Sequence, residues 1–257
     1  MNPEILFDHE HFVVLNKPAG MLVHSDGRST EKTVVDFFLQ QFPASKGVGE
    51  EGTVEVSGET IVIERSGVVH RLDLETSGVL VMAKTAQGYE VLKDHFQNHT
   101  ISKHYKAFVY GHPSKDRGLI DRPIGRSASN FKNWSATRGA RGQLREAQTR
   151  YNVLKKGFAR SSWGTEKVAY LTLQLLTGRT HQIRVHMKAL NHPVVGDDQY
   201  AGALAHQEEG VFALEFKRVA LHAHTLSFEF EGKTYDFEAP LPADFEHALA
   251  NLKAEAE

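Results

Sequence analysis

The sequence predicts an α+β fold with a mixed, mainly antiparallel sheet, and three observations predict it. Apolar runs cluster as hairpin-like pairs instead of alternating with helices, which disfavours a doubly wound parallel sheet. The 257 residues are 40% hydrophobic and 24% charged, the composition of an ordinary globular chain with a sizeable core. There is no Cys, which excludes a disulfide framework, a thiolate nucleophile and any cysteine-ligated zinc or iron–sulfur site. No internal repeat or linker divides the chain, so residues 1–257 are read as one domain.

The elements follow in order. ILFDHEHFVVLNKPAGMLVH reads as short strands broken at Asp8–His11 and at the Pro18-Ala19-Gly20 turn. From Thr33 to Phe42, Val34, Phe37, Phe38 and Phe42 fall on one helical face, and Pro43 stops the helix. Residues 43–66 are rich in Gly and Glu and read as an excursion with a hairpin around Ser57-Gly58. VVHRLDLETSGVLVMAK then reads as strand, polar turn at Asp73–Gly78, and strand. Thr85–Asn98 is helical, and Ser102–Tyr110 is a strand with Tyr105 on one face. Val168–Leu176 is a further strand. Thr180 is expected to cap a helix through His181–Leu190, which Asn191, His192 and Pro193 end. Val219–Phe230 and Lys233–Phe237 pair around Glu231-Gly232, and Pro242–Leu252 is a closing helix.

Charge is unevenly placed. The net formal charge is −2, yet Lys115–Arg160 carries 12 Lys and Arg against three acids, net +9, and leaves −11 elsewhere. From Glu229 onward the balance is −6. Such asymmetry gives one face for a polyanion and another that repels it, although on charge alone a solvated basic loop fits equally well. MNPEILFDHEHF has neither the basic nor the apolar segment of a signal peptide, and no apolar run approaches the ~18 residues of a membrane span. The expected location is the cytoplasm.

Several motifs carry little weight. Gly47-Val-Gly-Glu-Glu-Gly52 matches G-x-G-x-x-G, but Phe-Pro-Ala-Ser-Lys precedes it and two glutamates stand where a pyrophosphate would lie. His181 and His186 are five apart, about 140° around a helix, so they do not share a face for a metal. His222 and His224 share a strand face but lack a third ligand nearby. No metal site is expected.

Three segments carry chemistry. His70-Arg71-Leu72-Asp73 sets one carboxylate in a turn between apolar stretches; taken alone, such an Asp is more often a turn-former. Lys103-His104-Tyr105-Lys106 places an aromatic among cations, which alone reads equally as a Tyr packed in the core. Thr177-Gly178-Arg179-Thr180-His181-Gln182-Ile183-Arg184 gives a helix start dominated by polar and cationic groups, unusual unless it faces an anion or a buried carboxylate. Arg179 and Arg184 cannot serve one point on a regular helix, so one can meet phosphate while the other turns inward.

In sequence and in order these segments resemble the signatures of the RluA family of pseudouridine synthases. The matching strings are HRLDLETSGVLVMAK, KHYKAFVYG and LLTGRTHQIRVHM, with LNKPAGMLVH, DRPIG, NHPVVGDDQY, LHAHTLSF and APLPADF outside them. The resemblance implies a cofactor-free isomerase that converts uridine in RNA to pseudouridine, on a catalytic domain with flanking helices and a central cleft. It implies Asp73 as the essential carboxylate, Tyr105 as the aromatic partner of the target base and Arg184 as the cation paired with Asp73. Arg71 is implied to enter the RNA where the target base is flipped out. His70, Thr76, Lys103, Arg179, Thr180 and His181 are the further RNA-binding candidates. The expected partner is a stem-loop of ribosomal or transfer RNA, with no membrane, and the expected state is a monomer. Two departures bear on substrate: no S4-like domain is expected before the catalytic sequence, and residues 43–66 read as longer than this connection usually is. A catalytically silent RNA-binding protein on the same scaffold is the alternative expectation. Whether Asp73 attacks the base, attacks C1′ or takes a ribose proton stays open.

Overall fold

The computed structural model describes residues 2–128, 130, 133–137, 140–161, 164–204 and 211–254. The chain forms two compact units, one of residues up to Ser102 with Ala223–Pro240, the other of Lys103–His222 with the segment from Leu241.

In the first unit, β1 (Glu4–Asp8) and β2 (Phe12–Lys17) form an antiparallel hairpin. Val34–Gln41 forms α1, capped by Thr33 through a reciprocal box with Asp36. β3 (Gly52–Val56) and β4 (Glu59–Ile63) are a separate two-stranded ribbon turning at Ser57 and Gly58, both with positive φ, as the sequence predicts. The stretch before Asp73 differs from expectation: Val68–Leu72 makes only a single bridge, Val68 to Met82. The strand proper is β5 (Ser77–Ala83), buried at every position and antiparallel to β2. Burial on both faces explains its unbroken apolar run. Ala86–Gln97 forms α2, capped by Thr85.

The second unit opens with β6 (Ser102–Tyr110). The basic window is largely sheet, not loop. β7 (Arg117–Asp121), β8 (Ile124–Ser127), β9 (Trp134–Ser135), β10 (Ala140–Arg145) and β11 (Gln148–Ser161) all fall within it or at its end. The hydrophobic pattern missed them because few of their side chains are buried, most being exposed or only partly covered. β12 (Gly164–Leu175) is longer than the apolar run suggests, because its first turns pair with β11 outside the core. One sheet has the order β6-β12-β11-β7, and a smaller one β10-β8-β9; the pairings are antiparallel. Helix α3 spans Gln182–Ala189. Thr180 is not its cap: His181, in the left-handed region at φ 54°, occupies that position and makes no capping bond.

The chain returns to the first unit through β13 (Leu221–Phe230), beside β5, and β14 (Lys233–Glu238), which turns back at Glu231-Gly232. Gly78 allows that approach: its φ is 113°, and a Cβ there would run into the Ala223 carbonyl. Phe12, Phe228, Phe230, Tyr235 and Phe237 form an aromatic cluster on this sheet. Ala243–Asn251 forms α4, which packs Phe245 against Phe108 and Phe216 in the second unit.

Candidate functional site

The acid-bearing turn in the first unit is built on a buried amine. Lys17, at the end of β2, is 0% exposed, and its Nζ donates to the carbonyls of Pro18 (2.9 Å), Met21 (2.8 Å) and Leu74 (3.1 Å). Gly20 N–H donates to the same Leu74 carbonyl at 2.9 Å, so the Pro18–Gly20 turn is stapled beside Asp73. Asp73 is half-buried and its carbonyl accepts from Thr76 N–H at 3.1 Å, closing the turn. Leu72 points into the core and Arg71 into solvent. His70 Nε2 accepts from Val81 N–H at 3.1 Å, and its ring stacks on Phe96 at 4.3 Å. That ring forms part of the turn's foundation. Thr76 and Ser77 are buried.

In the second unit, Lys103, Tyr105 and Ala107 share the buried face of β6. Burial holds the Lys103 ammonium below the ordinary lysine range. Gln182 replaces the expected threonine cap at the start of α3. Its Oε1 accepts from Thr177 Oγ1 (2.7 Å) and Arg179 N–H (3.0 Å). Its Nε2 donates to Gln148 O and Thr149 Oγ1, both at 3.0 Å. The first turn is thus fixed from inside and Thr180 is exposed. Arg179 Nε donates to Glu146 O at 3.0 Å.

Arg184 turns inward and is 7% exposed. Its Nε and Nη2 bind Asp197 Oδ2 and Oδ1 at 2.7 and 2.9 Å, and Nη2 also donates to Gln199 Oε1 at 3.0 Å. Asp197, fully buried, also accepts from Tyr200 N–H. Tyr200 O–H takes the Trp134 N–H and bonds His181 Nδ1 at 2.9 Å. Asp197, Gln199 and Tyr200 were missed as site residues; NHPVVGDDQY matched the family, but nothing in its spacing pairs it with Arg184. His70, Arg71, Asp73 and Thr76 come together in one unit, and Lys103, Tyr105, Arg179, Thr180, His181 and Arg184 lie in the other.

The basic window contributes exposed Arg117, Arg122, Arg126, Arg141, Arg145 and Arg150 on strands or at their ends. Lys132 and Arg138 lie outside the described residues. The Arg126 guanidinium sits 4.1 Å over the Trp134 ring. A cavity beside that ring is lined by Ser127, Ala136, Thr137, Val185 and Lys188.

A family model described as RNA pseudouridylate synthase matches residues 11–189, a span that includes the Asp73 turn, the Tyr105 strand and the Arg184 helix. The chain belongs to that family. Pseudouridine synthases isomerise uridine in RNA, so the protein is an RNA isomerase. The chain is 36% identical over 245 residues to the ribosomal large subunit pseudouridine synthase D of Zymomonas mobilis, covering 95% of this chain and 70% of that one. It is 32% identical over 255 residues to the uncharacterized RNA pseudouridine synthase YlyB of Bacillus subtilis, covering 98% and 74%. Among solved structures, human RNA pseudouridylate synthase domain containing 1 superposes with a TM-score of 0.70 at 25% identity, over 94% of this chain and 84% of that one. Among the described residues, no helix is long and apolar enough to cross a membrane.

Proposed function

We propose that this pseudouridine synthase acts on a stem-loop of large-subunit ribosomal RNA, as a cytoplasmic monomer, with Asp73 as the essential carboxylate. The observation that carries the reading is the HRLD turn, which sets Asp73 on a scaffold pinned by Lys17 in a chain matched by the family across that turn. The ribosomal target is supported by the name of the Zymomonas relative.

The reaction breaks the N1–C1′ bond, turns the uracil and joins C5 to C1′. The C5 proton leaves and N1 gains one, so atoms balance and no electron carrier is needed. The chain's task is to hold the detached base and keep a carboxylate ionised next to it. The Arg184 guanidinium is assigned as the cation that serves the reacting carboxylate, as the family resemblance implies. Asp197 and Gln199 set the orientation of that guanidinium. Tyr105 is assigned to stack on the uracil, and its hydroxyl to help move the C5 proton.

A uridine within a stem is out of reach, so the base is flipped at a cost of about a few kcal/mol, offset in part by insertion of Arg71. The His70, Thr76, Lys103, Arg179, Thr180 and His181 segments contact the strands around it. Exposed arginines of the basic window supply phosphate contacts.

The test is pseudouridine mapping of total RNA from cells with and without the gene, then complementation with Asp73→Asn. The expected result is loss of one or a few ribosomal sites that the variant does not restore. Loss confined to transfer RNA would refute the ribosomal target, and full rescue by Asp73→Asn would refute the role of the acid.

A further inference from the structure

We infer that Arg65 and His24, with Arg71 beside them, form an anion subsite that takes a backbone phosphate of the RNA flanking the target uridine. The inference rests on the reading above and extends it to a segment, residues 43–66, that the chemistry does not otherwise use.

The β3–β4 ribbon delivers the chain to Glu64 and Arg65. The Arg65 side chain lies flat across Gly52, where a Cβ would strike its Cδ and Nε. Its Nη2 is 2.9 Å from His24 Nε2. His24 Nδ1 is 2.8 Å from the Ser25 carbonyl, so Nδ1 carries the hydrogen and Nε2 accepts from the guanidinium. Arg65 is therefore held by a neutral ring and not by a carboxylate. Its Nε is buried without a hydrogen-bond partner, an arrangement that costs stability unless something else uses the charge.

The neighbouring charges have the wrong sign to neutralise it. Burial and then Arg71 lower the Arg65 pKa, and Tyr89 also faces the group. Burial is likewise the main cause holding His24 below its ordinary value, with Arg65 and Arg71 adding to it. The acids nearby are committed. Asp26, which also faces His24, accepts from the N–H groups of Arg28 and Ser29 at 2.9 and 2.8 Å. Glu64 accepts from Ser66 N–H and Oγ. A phosphodiester brings the missing negative charge and a planar pair of acceptors, which a guanidinium matches.

Position favours RNA over a free anion. His24 closes the loop that Lys17 ties to Leu74, and Arg71 stands two residues before Asp73. The cluster thus lies on the loops that flank the acid turn, within one unit. When a phosphate arrives, His24 gains a proton at Nε2 and changes from acceptor to donor, freeing Nη2 for the anion.

The experiment measures binding of transcribed large-subunit ribosomal RNA across a salt series for wild type, Arg65→Gln, Gly52→Ala and, as a remote charge control, Lys233→Gln. Arg65→Gln is expected to weaken binding about fivefold or more and to reduce the slope of log Kd against log salt by about 0.7, one single-strand phosphate. Gly52→Ala keeps the charge, tolerates an ordinary strand backbone and displaces Arg65, so it should weaken binding comparably. Wild-type binding should tighten between pH 7.5 and 5.5, and His24→Asn should flatten that trend. Wild-type behaviour of both Arg65→Gln and Gly52→Ala, or an equal slope change in Lys233→Gln, overturns the inference. Pseudouridine formation on the same RNA is scored separately: steep, Arg65-dependent binding without product sinks the functional reading and spares the subsite.

Discussion

Arg184 and Asp197 form a bidentate ion pair in which both partners are buried, at 2.7 and 2.9 Å. A pair of this kind is weak support for stability in itself, but removing one partner strands the other charge out of water. Asp197→Ala should therefore lower unfolding free energy by about 3 kcal/mol in urea titration. It should also lower kcat by misplacing the guanidinium, whereas Gln199→Ala, which removes one hydrogen bond, should cost about 1 kcal/mol. Equal stability of Asp197→Ala and wild type would contradict the pair's structural importance.

Lys17 gives a second, independent handle on the acid turn. Its Nζ serves three carbonyls from inside the core, so Lys17→Met takes a donor from each and leaves the Leu74 carbonyl with Gly20 N–H. We expect a loss of about 3 kcal/mol in thermal or chemical unfolding. Turnover should fall as well at temperatures where the variant is still folded, since the Leu74 carbonyl next to Asp73 is one of the three. A variant that is destabilised but turns over normally would separate the staple from the chemistry.

Tyr105 offers stacking and a hydroxyl, and the two are separable. Tyr105→Phe keeps the ring, so substrate binding should hold while kcat drops by about two orders of magnitude if the hydroxyl moves the proton. Tyr105→Ala should lose binding too. Single-turnover assays on labelled uridine distinguish them, and unchanged turnover in Tyr105→Phe would leave stacking as the whole role.

Acid should destabilise the fold through His186. The ring is fully buried, bonded through Nδ1 to Thr149 Oγ1 and through Nε2 to the Arg122 carbonyl, both at 2.9 Å. Burial, then the Arg122 charge, lowers its pKa below 6.5. The unfolded chain therefore binds the proton more readily, and stability present above pH 6.5 is lost as pH falls below it. Melting temperatures from pH 7.5 to 5 should decline, and the decline should be shallower in His186→Gln.

RNA binding should weaken steeply with salt, because the basic window places arginines on exposed strand positions. Removing one, as in Arg141→Gln, should reduce the salt slope by about one phosphate equivalent and weaken binding to all RNA alike. A flat salt titration for the wild type would remove the phosphate role of this face.

Much of the layout was legible beforehand for specific reasons. The helices read from Thr33 and from Thr85, the Ser57-Gly58 and Glu231-Gly232 turns, and the unbroken apolar run of β5 all carry their causes within a few adjacent residues. The basic strands did not, because a strand exposed to water lacks an alternating apolar pattern and only its pairing partner defines it. The helix start at Thr180 was misread for a similar reason: a threonine cap is a local signal, and Gln182, reaching Gln148 and Thr149 on another strand, overrode it.

The sequence by itself determined the family, the acid-bearing turn, the tyrosine strand and the arginine-bearing helix, since each is a short string whose chemistry travels with its neighbours. Only the tertiary structure decided that Lys17 anchors the Asp73 turn, that Asp197 and Gln199 hold Arg184, and that Arg65 rests on Gly52 against His24. These contacts join residues far apart in the chain, and the cost of leaving a buried charge or donor without a partner depends on which groups the fold brings to it.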